Sequence, residues 1–300
     1  MTERLSDILS PATLARIDNY LLLARVVVDG FIAGLHRSVY HGFGSEFLQY
    51  RNYSPGDDLK YVDWKVFARH DKLVTKVFQE ETNMNCNIVL DASASMGFQG
   101  TRAPCSKYRY GAMVAASLAY LASRQGDFAG FYCYNEELQA CIRPGNRTGH
   151  LQRIATELVR IQPQGEADHE RFLSYVAEAV YKRGLVVVIS DFLEAEERIG
   201  PLLKRLRYAQ NDCIVIQVLD NDERDFPFDA TTRFVDSEHG AHILTYPPDV
   251  RDEYVAGMDA FMERLRRLCM DMQADCVQCD STQSLGRVLA SYLHRRGSVY

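Results

Sequence analysis

The chain is short of positive charge. Its 34 Lys and Arg against 40 Asp and Glu give a formal net charge of −6, and the pI is near 5.8. A nucleic-acid partner, which normally calls for a basic domain or stripe, is therefore not expected. Gly-x-x-x-x-Gly-Lys, Gly-x-Ser-x-Gly and His-Glu-x-x-His are all missing, which leaves P-loop, serine-hydrolase and metalloprotease chemistry without a motif. The amino terminus, Met1 to Asp7, has neither the basic lead nor the apolar stretch of a signal peptide. The apolar run from Tyr20 to Leu35 is interrupted by Arg25 and Asp29 and is shorter than the roughly 20 residues a bilayer-spanning helix requires. The expectation is a cytoplasmic protein with no membrane insertion. Internal repeats, low-complexity tracts and Pro/Gly/Ser linkers are also lacking.

Cysteine is present eight times, scattered through apolar runs, as suits reduced and buried thiols. Cys276-Val277-Gln278-Cys279 has no second pair at zinc-site spacing, so it reads as structural. With 300 residues, 47% hydrophobic and 25% charged, the chain can build one large domain or a domain with a sizeable extension.

Residues 1–82 read as a helical and aromatic-rich extension, opening with a helix from Pro11 to about Gly30 that starts at Ser10-Pro11. Residues 83–300 alternate strands with helices, as in a parallel sheet covered on both faces. The strands are expected at Asn87 to Leu90, Phe128 to Tyr134, Leu185 to Ser190 and Cys213 to Leu219. Helices are expected at Tyr108 to Arg124, His150 to Ile161, His169 to Lys182 and Glu196 to Tyr208. A small β insertion near 226–246, a helix from Pro248 to Met272, a last strand at Cys276 to Asp280 and a closing helix from Gln283 to Arg296 complete the reading.

The most informative stretch is Asp91-Ala92-Ser93-Ala94-Ser95, directly after the apolar run Ile88-Val89-Leu90. Where a parallel strand leaves a sheet, positions i, i+2 and i+4 turn one carboxylate and two hydroxyls toward a common point above the sheet edge. Hard oxygens of this kind suit Mg²⁺ or Mn²⁺. Such a motif alone is as readily a turn or helix cap. Asp191, however, ends a second apolar run, Val186-Val187-Val188-Ile189-Ser190, and the right-handed crossover rule places both acids on one edge. Two hydroxyls and one or two carboxylates leave a divalent cation short of negative charge, so that another molecule's carboxylate can complete the shell.

This pattern resembles the metal-ion-dependent adhesion site of von Willebrand factor A domains, with Asp-x-Ser-x-Ser in a first loop, Thr in a second and Asp in a third. The resemblance implies an α/β, Rossmann-like A-type domain that binds partners and is not an enzyme, with Asp91, Ser93, Ser95 and Asp191 as metal ligands. Similar domains carry Gly-x-Thr-Asp in the second loop. Here the best match is Gly165-Glu166-Ala167-Asp168, with Ala167 in place of the threonine. Asp168 or Glu166 substitutes there, directly or through water, or metal binding is weak or absent. Thr148 is a fallback, and His169 beside Asp168 could contact the site, a surface or helix-start position being the safer assumption.

Arg51-Asn52-Tyr53-Ser54-Pro55-Gly56-Asp57-Asp58, Val62-Asp63-Trp64 and Ala68-Arg69 resemble the signature of the bacterial domain-of-unknown-function family fifty-eight. Its members carry an A-type domain and are often encoded beside MoxR-type AAA+ ATPases. The similarity runs from about Leu35 to Arg296 and includes Phe234-Val235-Asp236-Ser237-Glu238-His239-Gly240. It implies a MoxR-type ATPase and an unknown protein client as partners, and a contact surface at Arg51, Asp57, Asp58 and Arg69. Turn and cap chemistry accounts for the same four residues, and Trp64 is expected as a buried anchor. The leading expectation is a non-catalytic adaptor. The rivals are a structural protein with a degenerate metal site and a Mg²⁺-dependent phosphohydrolase, for which Ser93 stands where a second aspartate is needed as general acid.

Overall fold

Apolar spacing and side-chain caps set the first elements. Ser10 caps a single turn, α1 (Pro11–Leu14), its hydroxyl accepting from the Thr13 amide at 3.3 Å, and Pro11 occupies a first-turn position where its missing N–H is not needed. The chain then turns, and Asn19 restarts it. Its Oδ1 accepts from the amides of Leu21 and Leu22 at 3.0 Å each, opening α2 (Tyr20–Leu35). The one helix expected over Pro11 to Gly30 is therefore two, because a side chain that can bond to its own backbone competes with helix continuation. Tyr20, Leu23, Ala24, Val27 and Val28 form the buried stripe of α2.

The structure is a computed structural model that describes residues 10–35, 47–55, 59, 62–78, 83–180, 183–193 and 196–298. The chain divides into two units, Met1–Ala33 with Met84–Tyr300, and Gly34–Asn83. This division differs from an extension over 1–82, since the first helices group with the sheet. In the small unit β1 (Phe47–Asn52) and β2 (Val74–Phe78) pair antiparallel around α3 (Trp64–His70). Buried Asp63 caps α3, accepting from the amides of Lys65 and Val66 at 2.9 and 3.2 Å, and also accepts from the Tyr50 hydroxyl at 2.9 Å. Trp64, expected as a buried anchor, is 55% exposed. It stands on the first position of a two-turn helix that buries none of its residues, so no core is available to it.

The sheet unit continues with β3 (Asn85–Asp91), α4 (Lys107–Arg124), β4 (Phe128–Tyr134), β5 (Leu138–Gly145), α5 (His150–Arg160), α6 (His169–Ala179) and β6 (Gly184–Ser190). It ends with α7 (Glu196–Tyr208), β7 (Asp212–Leu219), α8 (Asn221–Asp225), the hairpin β8 (Thr232–Val235) and β9 (His242–Thr245), α9 (Pro247–Asp271), β10 (Asp275–Asp280) and α10 (Gly286–Ser298). The strand order is β10-β7-β6-β3-β4-β5, parallel throughout except for β5, which pairs antiparallel with β4 at the edge. This is the mostly parallel sheet, covered by helices on both faces, that was expected. Edge strand β5 was not expected. It is half-buried, and Pro144 within it is tolerated only at an edge.

Both faces of the sheet are covered. Cys86, Ile88 and Leu90 join a core with α1, α2, α4, α5 and α10, and Val89 joins one with α6, α7 and α9. Central strands are consequently near-continuous apolar runs. Arg109 ties the first helices to α4, donating to the carbonyls of Ala15 and Ile17 at 3.3 and 2.8 Å, with its guanidinium 4.9 Å over the Tyr20 ring. The chain leaves β3 toward one end of the sheet and β6 toward the other. The gap between their carboxyl ends is therefore the topological switch point, where open α/β sheets bind ligands.

If α2 belongs to this core, Leu23→Ala lowers the unfolding free energy by about 2–5 kcal/mol. Leu22→Ala, on the exposed side of the same helix, shifts it by no more than about 0.5 kcal/mol. Urea titration of the two variants, followed by circular dichroism, makes the comparison.

Candidate metal-ion site at the sheet edge

Asp91 is the last residue of β3, and Ser190 is the last of its neighbour β6. The Asp91 carboxylate has no solvent exposure. Its Oδ2 accepts from the Ser190 hydroxyl at 2.6 Å and its Oδ1 from the Ser93 amide at 2.8 Å. One turn further, the hydroxyls of Ser93 and Ser95 lie 3.0 Å apart. The Ser95 hydroxyl also helps hold down the Asp191 pKa, and Asp191 Oδ1 accepts from the Leu193 amide at 3.2 Å. Phe192 makes this turn with a φ of 59° while fully buried, a conformation that costs a bulky residue about 1–3 kcal/mol and is held by the Ser190 hydroxyl accepting its amide at 2.9 Å. Asp91, Ser93 and Ser95 are thus joined at this edge, with Asp191 close enough for its charge to act on Asp91.

The second loop is arranged differently. Asp168 caps α6, its Oδ1 accepting from the Arg171 amide at 3.0 Å, and Ala167 packs against the apolar cluster of that face. Glu166 faces His239 at 3.0 Å, and Thr148 lines a surface cleft with Asn19, Tyr120 and His150. The residue that approaches Asp91 is His169, which opens α6 at the helix start as expected and is buried there. Its Nε2 lies 4.0 Å from Asp91 Oδ2, its Nδ1 is 2.8 Å from the Tyr134 hydroxyl, and its ring stacks on Phe192 at 6.0 Å.

Lys107 was not anticipated. It opens α4 with no exposure at all and places Nζ 2.8 Å from Asp191 and 2.6 Å from Glu223 of α8. Burial alone would lower its pKa, but the two carboxylates more than offset this and the net shift is upward. For Asp191, burial pushes the pKa up and Lys107 pulls it down further, so the net shift is downward and the charge is firmly held. Glu223 shares the same ammonium yet shifts upward, because its burial and the nearby Asp191 charge outweigh Lys107. Asp91 shifts upward too: burial dominates, Asp191 adds to it, and His169 with the Ser190 and Ser93 bonds only partly compensates.

Among the described residues Asp91 is therefore a buried carboxylate with no Lys or Arg partner and with His169 as its basic neighbour, beside two hydroxyls and a second carboxylate. This donor set, made wholly of hard oxygens, fits Mg²⁺ or Mn²⁺. Among the described residues no group of three or more His, Cys, Asp or Glu side chains has the arrangement of metal ligands, and the oxygens here come in part from serine.

Asp57 and Asp58 lie outside the described residues. Arg51 is in β1 and Arg69 in α3, both exposed in the small unit.

The family described as "Protein of unknown function DUF58" matches residues 49–263. "Uncharacterized protein Rv1480" of Mycobacterium tuberculosis is 30% identical over 254 residues, covering 83% of this chain and 78% of that protein. Among solved structures, BatB from Bacteroides thetaiotaomicron aligns over 72% of this chain and 100% of its own, with a TM-score of 0.48 and 15% identity. The SpRpn10 VWA domain aligns over 69% and 94%, with a TM-score of 0.40 and 10% identity. Among the described residues no helix is long and apolar enough to cross a membrane.

Removing Lys107 strands two buried carboxylates. Lys107→Met is expected to destabilise the fold by about 3–5 kcal/mol, and adding Asp191→Asn to recover part of that loss. Thermal unfolding of the single and double variants measures both terms.

Proposed function

The chain belongs to the DUF58 family, and from that premise we propose that it is a non-catalytic, cytoplasmic protein-binding module whose adhesion-type site takes Mg²⁺ or Mn²⁺. The observation that carries this reading is the buried Asp91 carboxylate at the switch point, with no Lys or Arg partner among the described residues, flanked by the Ser93–Ser95 hydroxyl pair and Asp191. Asp91 would hold the ion, with Ser93 and Ser95 as neutral donors and Asp191 beside them. Asp168 uses its Oδ1 to cap α6, and a ligand role for it would run through its other oxygen or a water. A bound divalent ion would supply a coordination position open to the carboxylate of a partner protein. Lys107 neutralises part of the Asp191 charge, which keeps the site under-neutralised toward the ion and favours recruitment of an outside carboxylate.

In this reading the partners are a MoxR-type AAA+ ATPase and a client protein, with Arg51 and Arg69 on the contact surface of the small unit. The support is the family membership together with the exposure of both arginines. A phosphohydrolase would require an acid at Ser93, and the Ser93 hydroxyl is instead paired with that of Ser95.

Calorimetric titration of Mg²⁺ and Mn²⁺ tests the reading. Saturable binding that disappears in Asp91→Ala is the expected result. Heat that never saturates, or saturation that survives Asp91→Ala, overturns the metal assignment.

A further inference from the structure

Hairpin β8–β9 is built to present one residue. Its base is anchored by an aromatic cluster in which Phe226 stacks on Phe234 at 5.1 Å and on Tyr254 of α9 at 4.3 Å, with Phe228 edge-on to Phe234 at 5.2 Å. Its tip is a preorganised turn. Asp236 Oδ1 accepts from the amides of Glu238 and His239 at 2.8 and 3.2 Å, and Gly240 takes the left-handed φ of 69° that closes it. His239 then fastens the tip, with Nε2 3.0 Å from Glu166 and Nδ1 3.1 Å from Asp236. The Glu166 loop is itself fixed to the metal loop, since Ala94 N–H donates to the Gly165 carbonyl at 2.8 Å and Gln164 N–H to that of Ala92 at 2.9 Å.

The consequence falls on Glu238. Asp236, Ser237, His239 and Gly240 around it are exposed, but Glu238 is partly buried and its carboxylate faces the Ser95 hydroxyl, within the field of Asp191 and Asp91. A glutamate at a solvent-facing tip gains nothing by folding toward two other carboxylates. Like charges in a partly dehydrated space repel unless a cation lies among them. The position it takes is the open side of the site, beside the half-exposed Ser95, whereas Asp91 and Ser93 are closed off below.

We propose that Glu238 is the in-chain occupant of the Asp91–Asp191 site: its carboxylate takes the position through which a partner's carboxylate would enter, and the partner must displace the hairpin tip to bind. The role of Glu238 as a ligand completing a cation's shell rests on the metal reading above. Its role as a cover over the Ser95 side does not.

Two measurements on the full chain separate these. Amide hydrogen exchange of residues 92–97 in metal-free protein reports the cover: faster exchange in Glu238→Gln than in the parent is expected, and equal exchange overturns the proposal whether or not metal binds. Mn²⁺ titration reports the ligand role: a loss of about tenfold or more in affinity in Glu238→Gln is expected. Undiminished affinity in that variant overturns the ligand role and leaves the metal reading standing. A parent protein that shows no saturation overturns the metal reading and the ligand role together, and the exchange rates then decide the cover. Glu238→Gln preserves the side chain's shape at a hairpin tip, and unchanged circular dichroism verifies the fold.

Discussion

A carboxylate with no lysine or arginine partner among the described residues, sealed beneath the edge of a parallel sheet, is the constraint to which the rest of the site answers. Moving an ionised carboxylate out of water costs several kcal/mol after relaxation, and Asp91 recovers only part of that through one hydroxyl, one amide and a histidine 4.0 Å away. Asp191, just beyond the end of the neighbouring strand, is bonded by Lys107 and by the amide of its own turn. The two acids at the switch point are therefore not equivalent. One is an anion within a structural ion network, and burial holds the pKa of the other up.

The surrounding fold keeps this pair in place. Lys107 links the start of α4 to the end of β6 and to α8, while the Arg102 side chain and the Gly100 and Thr101 amides bind Asp220, Asp222 and Asp225. The loop that carries Ser93 and Ser95 is thus tied on both sides, to the Gly165 loop at one end and to α8 beyond the other. The strained Phe192 belongs to the same arrangement. A bulky residue at positive φ persists only where neighbours over-determine it, and the His169 and Tyr134 rings provide that packing.

Much of this was legible in the sequence, for physical reasons that also explain what was not. Strands covered on both faces must be continuous apolar runs, so β3, β6 and β7 announced themselves, and an aspartate directly after such a run can lie only at the sheet edge. Asp91 and Asp191 followed from that. Lys107 did not, because a lysine on the first turn of an amphipathic helix ordinarily points to solvent, and only the three-dimensional meeting of α4 with β6 and α8 gives it two buried partners. His169 opens its helix as expected, and its burial was not legible because a helix-start histidine carries no periodic signal of burial. Trp64 was misplaced for the opposite reason, since large aromatics are usually buried and its short helix offers no core. Glu238 reaches the site through a hairpin far along the chain, and no spacing rule connects it to Ser95.

The layering of the site bears on what kind of chemistry it can support. A nucleophilic carboxylate needs an open approach along one oxygen, yet both Asp91 oxygens accept hydrogen bonds and the residue has no exposure. A general acid needs a proton to give at the open face, and the groups at that face are the Ser95 hydroxyl and the Glu238 carboxylate that faces it. What can change there without rearranging the core is the identity of the oxygen that meets Ser95. Exchange of one carboxylate for another at a fixed, part-neutralised pocket requires no bond to break within the protein. Its strength is set by the geometry of the hairpin tip and by the charge left over at Asp91. On the reading proposed above both would serve recognition, with the hairpin tip as the turn that a partner displaces.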